Sequence, residues 1–390
     1  MRWTKCEHRA NDHARRRIDS KNPIYLSRSR MRASAKSLVV NFFLITVAQL
    51  FAQEPITWSP EPVVLESDNS NWTRMAKLPD GSWLAAYAEY TTAPTPIRFK
   101  RSFDRMRTWQ QVSEIAEVGR DLNNATLCVL PDGTVLLAVA SLIVGHSYRI
   151  ETYKSIDSGA SFQYQSLVDD DHQVGGLYEP YLYMLPSGDI LCFYSSETHR
   201  FDNPSYSQII SEKVSRDGGY TWGPEIYAIS QPGAARPGIP NLVQLAGGVL
   251  ALFYEVCGSE NCIGHVSYST DGVNWPGIGP VLPSTFQDPE AVALNSGLII
   301  ATSNLKTIII SQDNSNSWFD THEHPFVYGI WPVLYQTAPD EIAMVVGDAG
   351  DHGEHGQYIR FGTVNAAAFE PGVRISSCRN PTFARSQNCF

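Results

Sequence analysis

Six hairpins are visible in the alternation of apolar and turn-forming positions along the chain. In each one, apolar, β-prone residues lie on both sides of a short turn rich in Pro, Asp, Gly, Asn or Ser, which is the pattern of two antiparallel strands. The hairpins occupy residues 77–87, 129–139, 184–194, 244–254, 293–302 and, with a weaker turn, 336–346. This recurrence predicts six modules of an all-β protein.

A second turn follows five of these hairpins. In its clearest copy, SRDGGYTW (Ser215–Trp222), Asp217 can accept hydrogen bonds from turn amides, and the two glycines allow a positive φ. The other copies are SFDRMRTW (102–109), SIDSGASF (155–162), STDGVNW (269–275) and SQDNSNSW (311–318). A unit that repeats about every 50 residues is typical of propellers and solenoids.

The two turns together predict four strands in each module. The expected fold class is therefore all-β, a six-bladed β-propeller of four-stranded antiparallel blades that accounts for residues 57 to about 370. In such a blade, the beginning of the first strand, the end of the second and the start of the third share one face. The aspartate turns lie on the opposite face, so Asp217 is expected to be part of the scaffold.

Polar and aromatic residues occupy the positions that reach the first of these faces. The candidates are Arg74, Asn124, Tyr178, Glu179, Arg236, Asp288, Glu290 and Trp331 at first-strand entrances, Glu255 at a second-strand exit and Tyr358 at a third-strand start. Glu179 opens blade 3 and Glu255 ends the second strand of blade 4, so neighbouring blades direct two carboxyls at one cleft. Glycoside cleavage by an acid/base and a nucleophile requires such a pair. A single glutamate at a strand end is more often merely solvated, but two on adjacent blades, each in an aromatic segment, favour a site.

Charge is distributed unevenly along the chain. The formal net charge is −10, although residues 1–36 contain eleven lysines and arginines against three acids. The acidic remainder disfavours nucleic acid and anionic membranes as partners. The basic head precedes an apolar run at 37–52 that is typical of a signal peptide, with Met31 as its start and cleavage after Ala52; a signal anchor is the alternative. The expected divisions of this secreted, extracellular protein are a basic extension plus signal peptide (1–52), the propeller (53–377) and a tail (378–390).

Seven cysteines fit an oxidising compartment only in part. Cys257 and Cys262 are expected to close a small loop, and the pair Cys378 and Cys389 to hold the tail. Cys6 is expected to leave with the pre-sequence, and Cys128 and Cys192 lie in strand patterns where buried free thiols are expected. No cysteine or histidine spacing predicts zinc, so neither a metal nor a cofactor is expected. The protein is expected to be a monomer whose partner is a polysaccharide or oligosaccharide substrate.

The repeated turns carry a resemblance to known proteins. They resemble the Asp-box (BNR) repeats of sialidase-like propellers, which is specific for fold rather than for function. The segments YEPYLYMLPSGDILCFYSSE (178–197) and RPGIPNLVQLAGGVLALFYE (236–255) resemble family 93 of the glycoside hydrolases. Members of that family are six-bladed exo-arabinanases that release arabinobiose from α-1,5-L-arabinan. The resemblance spans roughly residues 57–370.

The same resemblance implies roles for individual residues. Glu179 would be the acid/base and Glu255 the nucleophile of a retaining reaction. Trp331 and Tyr358 would help to shape the sugar subsites.

Two alternatives remain open on the sequence. In an exo-sialidase, Tyr358 would be the nucleophile and Glu255 its charge partner. A sialic carboxylate needs three convergent arginines, and those available are Arg74, Arg236 and Arg360. Glu290 at the entrance of blade 5 disfavours an anionic sugar there. The second alternative is a non-catalytic carbohydrate-binding propeller, because binding needs the same aromatics and carboxylates without matched pKa values.

Overall fold

The computed structural model describes residues 54–143, 146–171, 173–283, 287–304, 307–322, 325–327, 329–347 and 355–369. The predicted pre-sequence, the tail and the pair Cys378 and Cys389 lie outside these residues. Regular structure in the described part consists of strands and one 3-10 helix, Ala366–Phe369. Among the described residues, no helix combines the length and the apolar character needed to cross a bilayer.

Five sheets follow one another along the chain as antiparallel meanders. Blade 1 contains β3 (Ser70–Lys77), β4 (Trp83–Glu89), β5 (Ile97–Ser102) and β6 (Gln110–Ile115). Blade 2 contains β7 (Asp121–Val129), β8 (Val135–Ile143), β9 (Ser147–Ser155) and β10 (Gln163–Asp170). Blade 3 contains β11 (Leu177–Met184), β12 (Ile190–Ser196), β13 (Ile209–Ser215) and β14 (Ile226–Ile229). Blade 4 contains β15 (Arg236–Gln244), β16 (Leu250–Cys257) and β17 (Ile263–Ser269), and blade 5 contains β18 (Glu290–Ala293), β19 (Ile299–Thr302), β20 (Ile308–Ser311) and β21 (Phe319–Asp320).

The sixth sheet joins the two ends of the propeller. It contains β22 (Ile330–Ala338), β23 (Glu341–Gly347) and β24 (Gln357–Val364), with β1 (Ile56–Trp58) and β2 (Val63–Glu66) both paired to β24. The N-terminal strands therefore complete the last blade, which the sequence had not indicated. Blade 4 also departs from the four-stranded expectation, because an isolated bridge between His265 and Val281 stands where a fourth strand would pair. The six-bladed, antiparallel architecture itself is confirmed.

The core lies between the flat faces of successive blades. All seven residues of β4 and of β12 are buried, because a neighbouring blade covers each face of these second strands. Between blades 1 and 2, for example, Leu84 and Phe99 pack in one cluster with Leu137 and Val139. Equivalent clusters occupy the other blade interfaces, including the one between blades 6 and 1. The ring therefore closes by hydrophobic packing as well as by the strand pairing of β24.

The aspartate turns connect the third and fourth strands, at the end of each blade opposite the first-strand entrances. Asp217 accepts hydrogen bonds at Oδ1 from Ser215 Oγ and from the Thr221 amide, both at 2.9 Å, and at Oδ2 from Thr221 Oγ1 at 2.6 Å. The same three-part arrangement recurs at Asp104, Asp157 and Asp313, and at Asp271 with an asparagine in place of the hydroxyl residue. These carboxylates stabilise turns, which confirms their expected scaffold role.

The cysteines in the described residues follow their predictions in three cases of four. Cys257 and Cys262 form a disulfide, and Cys192 is free and buried. Cys128 is also free, but it is only half-buried. The small loop expected after the second strand of blade 4 is therefore covalently closed.

A buried glutamate lies at the interface between blades 3 and 4. Glu212 on β13 is fully buried, and its Oε1 has no hydrogen-bond partner in the described part of the chain. Trp275 donates its indole N–H to Oε2 at 3.0 Å. Burial raises the pKa of this carboxyl to about 8, so Glu212 is protonated in the folded protein at neutral pH.

We expect Glu212 to make the folded state less stable as the pH rises. Between its ordinary pKa of 4.5 and about 8, the folded state holds a proton that the unfolded state has lost. The contribution to the free energy of unfolding therefore decreases across this window, by at most about 1.4 kcal/mol per pH unit. Urea unfolding at several pH values should show this slope in the wild type and not in Glu212→Gln. The exposed Glu114→Gln is the control, and an unchanged slope in Glu212→Gln contradicts the prediction.

Candidate active site

Each first strand has one residue with a left-handed backbone near its entrance, which lies within the strand in five blades and just before β18 in blade 5. These residues, here called the entrance bulges, have φ between 49° and 59° and are Trp72, Asn124, Glu179, Ile239, Asp288 and Trp331. In five of the six blades the bulge coincides with a shift of register between the first and second strands. A non-glycine residue in this conformation costs roughly 1–3 kcal/mol, and such residues concentrate at functional sites. Four of the six, Asn124, Glu179, Asp288 and Trp331, were predicted from the sequence as site residues.

Glu179, the bulge of blade 3, is held by two hydrogen bonds. Its Oε2 accepts from Ser195 Oγ at 2.7 Å and from the backbone amide of Ile239 at 2.9 Å. Burial is the largest influence and raises the pKa of this carboxyl, although both hydrogen bonds and the charges of Arg236 and Arg74 lower it. The side chain therefore sits in a site that can stabilise either protonation state.

Glu255, near the end of β16, is held in a similar way by the following blade. Its Oε2 accepts from the backbone amide of Asp288 at 2.9 Å. Burial raises the pKa of Glu255 to about 7, and the neighbouring charge of Glu179 contributes in the same direction. The two carboxyls predicted as a pair are thus electrostatic neighbours on one face.

The two glutamates are held by the same kind of hydrogen bond. In both cases the backbone N–H of an entrance bulge donates to a carboxylate of the preceding blade: Ile239 to Glu179, and Asp288 to Glu255. The bulge of blade 6 donates in the same way, but its acceptor is a side-chain amide oxygen: the Trp331 N–H donates to Asn304 Oδ1 at 2.6 Å. The left-handed backbone turns this N–H away from the strand ladder and makes it available to a side chain.

Gly238 leaves the space that the pair needs. It pairs with Glu255 in the β15–β16 register. A Cβ atom at Gly238 would lie 2.8 Å from Gln208 Nε2, 3.1 Å from Ser195 Oγ and 3.3 Å from Glu179 Oε2. Any side chain there would push against the groups that hold Glu179.

A buried ion pair lies beside the two glutamates. Arg74 donates to Glu290 Oε1 at 2.6 Å, and both side chains are at most 7% exposed. Burial raises the pKa of Glu290 to about 7, against the lowering effect of Arg74. The neighbouring Asp288 is fully buried, and neither of its carboxyl oxygens has a hydrogen-bond partner among the described residues. Burial, reinforced by the charge of Glu290, raises the pKa of Asp288 well above its usual value.

Aromatic rings stand at two places around this cluster. The rings of Trp72 and Trp331 lie 5.7 Å apart at a 58° tilt, and the Arg74 guanidinium lies 4.5 Å from the Trp72 ring. On the side of blade 3, Tyr178 meets Tyr148 edge-on at 5.5 Å. Burial raises the pKa of Tyr178, so its hydroxyl remains protonated. Flat apolar surfaces next to carboxyls are suited to the faces of sugar rings.

Open space continues from this face toward the propeller axis. The first strands surround a cavity of about 360 Å³ that is lined by Arg74, Tyr181, Asn241 and Tyr335, together with smaller residues of the same strands. Arg74 of the polar cluster therefore also lines this cavity.

Most of the predicted site residues converge, and some do not. Arg236, at the rim of the site, forms an ion pair with Glu197 Oε1 at 2.5 Å and donates a hydrogen bond to Gln208 Oε1 at 2.7 Å. Asn124 occupies the bulge of blade 2. Tyr358 is buried in the hydrophobic cluster of blades 5 and 6, among residues such as Leu334 and Val346, rather than in the acidic cluster.

Sequence reasoning did not identify several residues that build the site. They are Trp72, Ser195, Gly238, Ile239 and Asn304. A signal existed for the bulges, because each lies at the same offset before its hairpin turn, but Ile239 is apolar and acts through its backbone. Ser195 and Asn304 occupy second-strand positions equivalent to that of Glu255, counted from the residue at which each second strand begins.

Known proteins were compared with the chain and with its structure. No protein-family model matches the chain, and no curated protein matches its sequence. Penicillium chrysogenum α-L-arabinanase complexed with arabinobiose is similar in structure, with a TM-score of 0.68 and 24% identity over 79% of this chain and 99% of that chain. The GH93 α-L-arabinofuranosidase of Fusarium graminearum, also complexed with arabinobiose, has a TM-score of 0.67 and 19% identity over 79% and 99% of the two chains.

The NanB sialidase of Streptococcus pneumoniae is similar at a TM-score of 0.57, with 10% identity over 80% of this chain and 70% of that chain. This chain has the sialidase-like propeller fold. The fold implied by the resemblance to family 93 is thereby confirmed.

We expect the pKa of Glu255 to depend on the charge of Glu179. Because Glu179 raises that pKa, Glu179→Gln should lower it, by several tenths of a unit up to about one unit. Carboxyl carbon NMR of protein labelled in glutamate measures the shift without any assumption about activity. Glu61→Gln, on the exposed loop between β1 and β2, is the control. An unshifted titration of Glu255 in Glu179→Gln would mean that the two carboxyls do not interact.

Proposed function

We propose that the protein is a secreted, exo-acting glycoside hydrolase that cleaves α-1,5-L-arabinan, releases arabinobiose and retains the anomeric configuration. The observation that carries the proposal is the pair of half-buried carboxyls, Glu179 and Glu255, each held by a backbone amide of the next blade. The bound arabinobiose in two structures of the same fold supports the choice of sugar. The disulfide between Cys257 and Cys262 supports an oxidising, extracellular location. We propose a monomer that acts on an oligosaccharide or polysaccharide.

In the first step, Glu255 attacks the anomeric carbon while the glycosidic C–O bond breaks. Glu179 gives its proton to the leaving oxygen, so the product alcohol departs neutral and a glycosyl ester remains on Glu255. In the second step, Glu179 takes a proton from water, whose oxygen attacks the anomeric carbon and releases the Glu255 carboxylate. The sugar returns to its original configuration after two inversions.

The hydrogen bonds suit this division of roles. The nucleophile needs accessible lone pairs, and among the described residues Glu255 has one hydrogen-bond donor, the backbone amide of Asp288. The acid/base must hold a proton in the first step and carry a negative charge in the second. Burial supports the protonated form of Glu179, whereas Ser195 and the Ile239 amide support the charged form.

The charges around the site suit a neutral sugar. Arg74 and Arg236 are both paired with glutamates, Glu290 and Glu197. Neither cation is therefore available to bind a sialic carboxylate without breaking an ion pair. Arg360 lies over the ring of Phe326 instead. These contacts favour arabinan over the sialidase alternative, and the raised pKa values of both carboxyls favour catalysis over binding alone.

We expect the two alanine variants to fail in different ways. Glu179→Ala should lower hydrolysis of linear arabinan by about 10²-fold or more, yet spare an aryl arabinobioside whose leaving group needs no proton. Added azide should restore its turnover with retained configuration. Glu255→Ala should lose both activities, and azide can give only a product of opposite configuration.

The controls also test the substrate. Glu114→Ala, an exposed change, should keep wild-type rates, and a sialyl reporter run in parallel should not be cleaved. Unchanged arabinan hydrolysis by Glu179→Ala would overturn the assignment, and azide rescue of Glu255→Ala with retention would reverse the two roles. Cleavage of the sialyl reporter alone would favour the sialidase reading.

Two adjacent serines provide a test of Glu179 as the general acid. Ser195 donates to Glu179, whereas the adjacent Ser196 hydrogen-bonds to Thr198. Loss of the Ser195 donor removes support for the charged form, so the pKa of Glu179 should rise further. Because activity falls when the acid loses its proton, the alkaline limb of kcat/KM should move to higher pH in Ser195→Ala, by up to about one unit. Ser196→Ala should leave it unchanged, and a shift to lower pH in Ser195→Ala would contradict the assignment.

A further inference from the structure

The disulfide of blade 4 touches the proposed nucleophile. Glu255 and Cys257 are two residues apart on β16, so their side chains lie on the same face of the strand. Glu255 Oε1 lies 3.3 Å from Cys257 Sγ, and Cys257 is bonded to Cys262. The contact places a sulfur atom against one oxygen of the carboxyl, while Asp288 holds the other.

The oxidation state of this sulfur determines what it can offer to the carboxyl. A disulfide sulfur carries no hydrogen, so it is at most a weak acceptor for the protonated form of Glu255. A thiol at the same position can donate S–H to the ionised form. A donor to the charged form favours ionisation, and its loss disfavours it.

We propose that the Cys257–Cys262 disulfide is a redox-sensitive control on Glu255: closed, it deprives Oε1 of a donor, and opened, Cys257 donates its S–H and promotes the ionised nucleophile. The proposal rests on the role of Glu255 given above. Opening requires a dithiol reductant, which is oxidised to its own disulfide while two electrons and two protons convert the cystine to two thiols. No covalent bond to Glu255 changes.

The loop between the two cysteines has anchors that do not depend on the S–S bond. Glu260 in this loop contacts His265 of β17 at 2.9 Å, and His265 is buried. Gly258 packs against the neighbouring backbone so closely that a Cβ there would lie 2.1 Å from the Ala234 carbonyl oxygen. Opening the disulfide should therefore leave the end of β16 in place.

Other charged groups lie on the elements packed around Glu255, and the experiment keeps all of them constant. They are Glu179 on β11, Arg236 on β15, Glu260 and His265 from the loop and β17, Asp288 and Glu290 from blade 5, and Arg74 from blade 1. A matched pair of variants that differ only in the atom at position 257 isolates the donor from all of these.

The decisive comparison is Cys257→Ser/Cys262→Ala against Cys257→Ala/Cys262→Ala. Both lack the disulfide, but only the first has a donor next to Oε1. Because the nucleophile must be ionised, activity is lost as the pH falls through the pKa of Glu255. The acidic limb of kcat/KM on arabinan should therefore lie about half a pH unit or more lower in the serine variant. Coincident limbs would overturn the proposal, whereas a purely structural role would change kcat or Tm in both variants alike.

The wild-type protein provides the second arm, with thiol titration to establish its redox state. Reduction by dithiothreitol should move the acidic limb to lower pH, and the alanine double variant should not respond. Superimposable profiles of oxidised and reduced protein would contradict the proposal.

Carboxyl carbon NMR of Glu255 separates this inference from the proposed function. It reports the same shift toward lower pKa in the reduced protein and in the serine variant, with no need for turnover. Absence of arabinan hydrolysis together with that shift would remove the proposed function and keep the coupling. Arabinan hydrolysis without the pKa shift would keep the proposed function and remove the coupling between the disulfide and Glu255.

Discussion

The candidate site depends on backbone amides that the entrance bulges turn toward the preceding blade. A regular first strand would use these N–H groups in its ladder, whereas the left-handed residues Ile239 and Asp288 free them for Glu179 and Glu255. An amide is a donor that cannot be lost by titration or by side-chain rotation. Two half-buried carboxyls are therefore held in fixed positions, and among the described residues neither one forms an ion pair with a lysine or arginine.

Burial and hydrogen bonding oppose each other at this face, and the balance differs from one acid to the next. Asp288 is buried without any donor in the described residues, Glu255 has one amide, and Glu179 has an amide and a hydroxyl. The ion pair of Arg74 with Glu290 adds a neutral polar unit beside them. Chemically similar carboxyls are thereby given different tendencies to ionise, which is what a two-carboxyl reaction needs.

The scaffold explains how the site tolerates its strain. Six hydrophobic interfaces between the blades stabilise the ring, and the aspartate turns stabilise its end away from the bulges. The N-terminal strands pair with β24 and close the last blade, so the ends of the propeller are held together by hydrogen bonds. The left-handed residues and the buried acids lower the free energy of unfolding, and the rest of the fold offsets that loss.

The sequence by itself determined the repeat, the blade topology and the face on which the candidate site residues lie, because hairpin turns and apolar alternation are local signals. It also paired Glu179 with Glu255, since strand position and blade adjacency follow from that topology. Only the tertiary structure decided the contacts between distant segments: the Arg74–Glu290 pair joins residues 216 positions apart, and β1 pairs with β24 across nearly the whole propeller. Nor could residue type reveal the bulge amides, because Ile239 acts through a backbone N–H that every residue except proline has. Such interactions depend on which distant segments meet in space, and local sequence patterns do not specify those meetings.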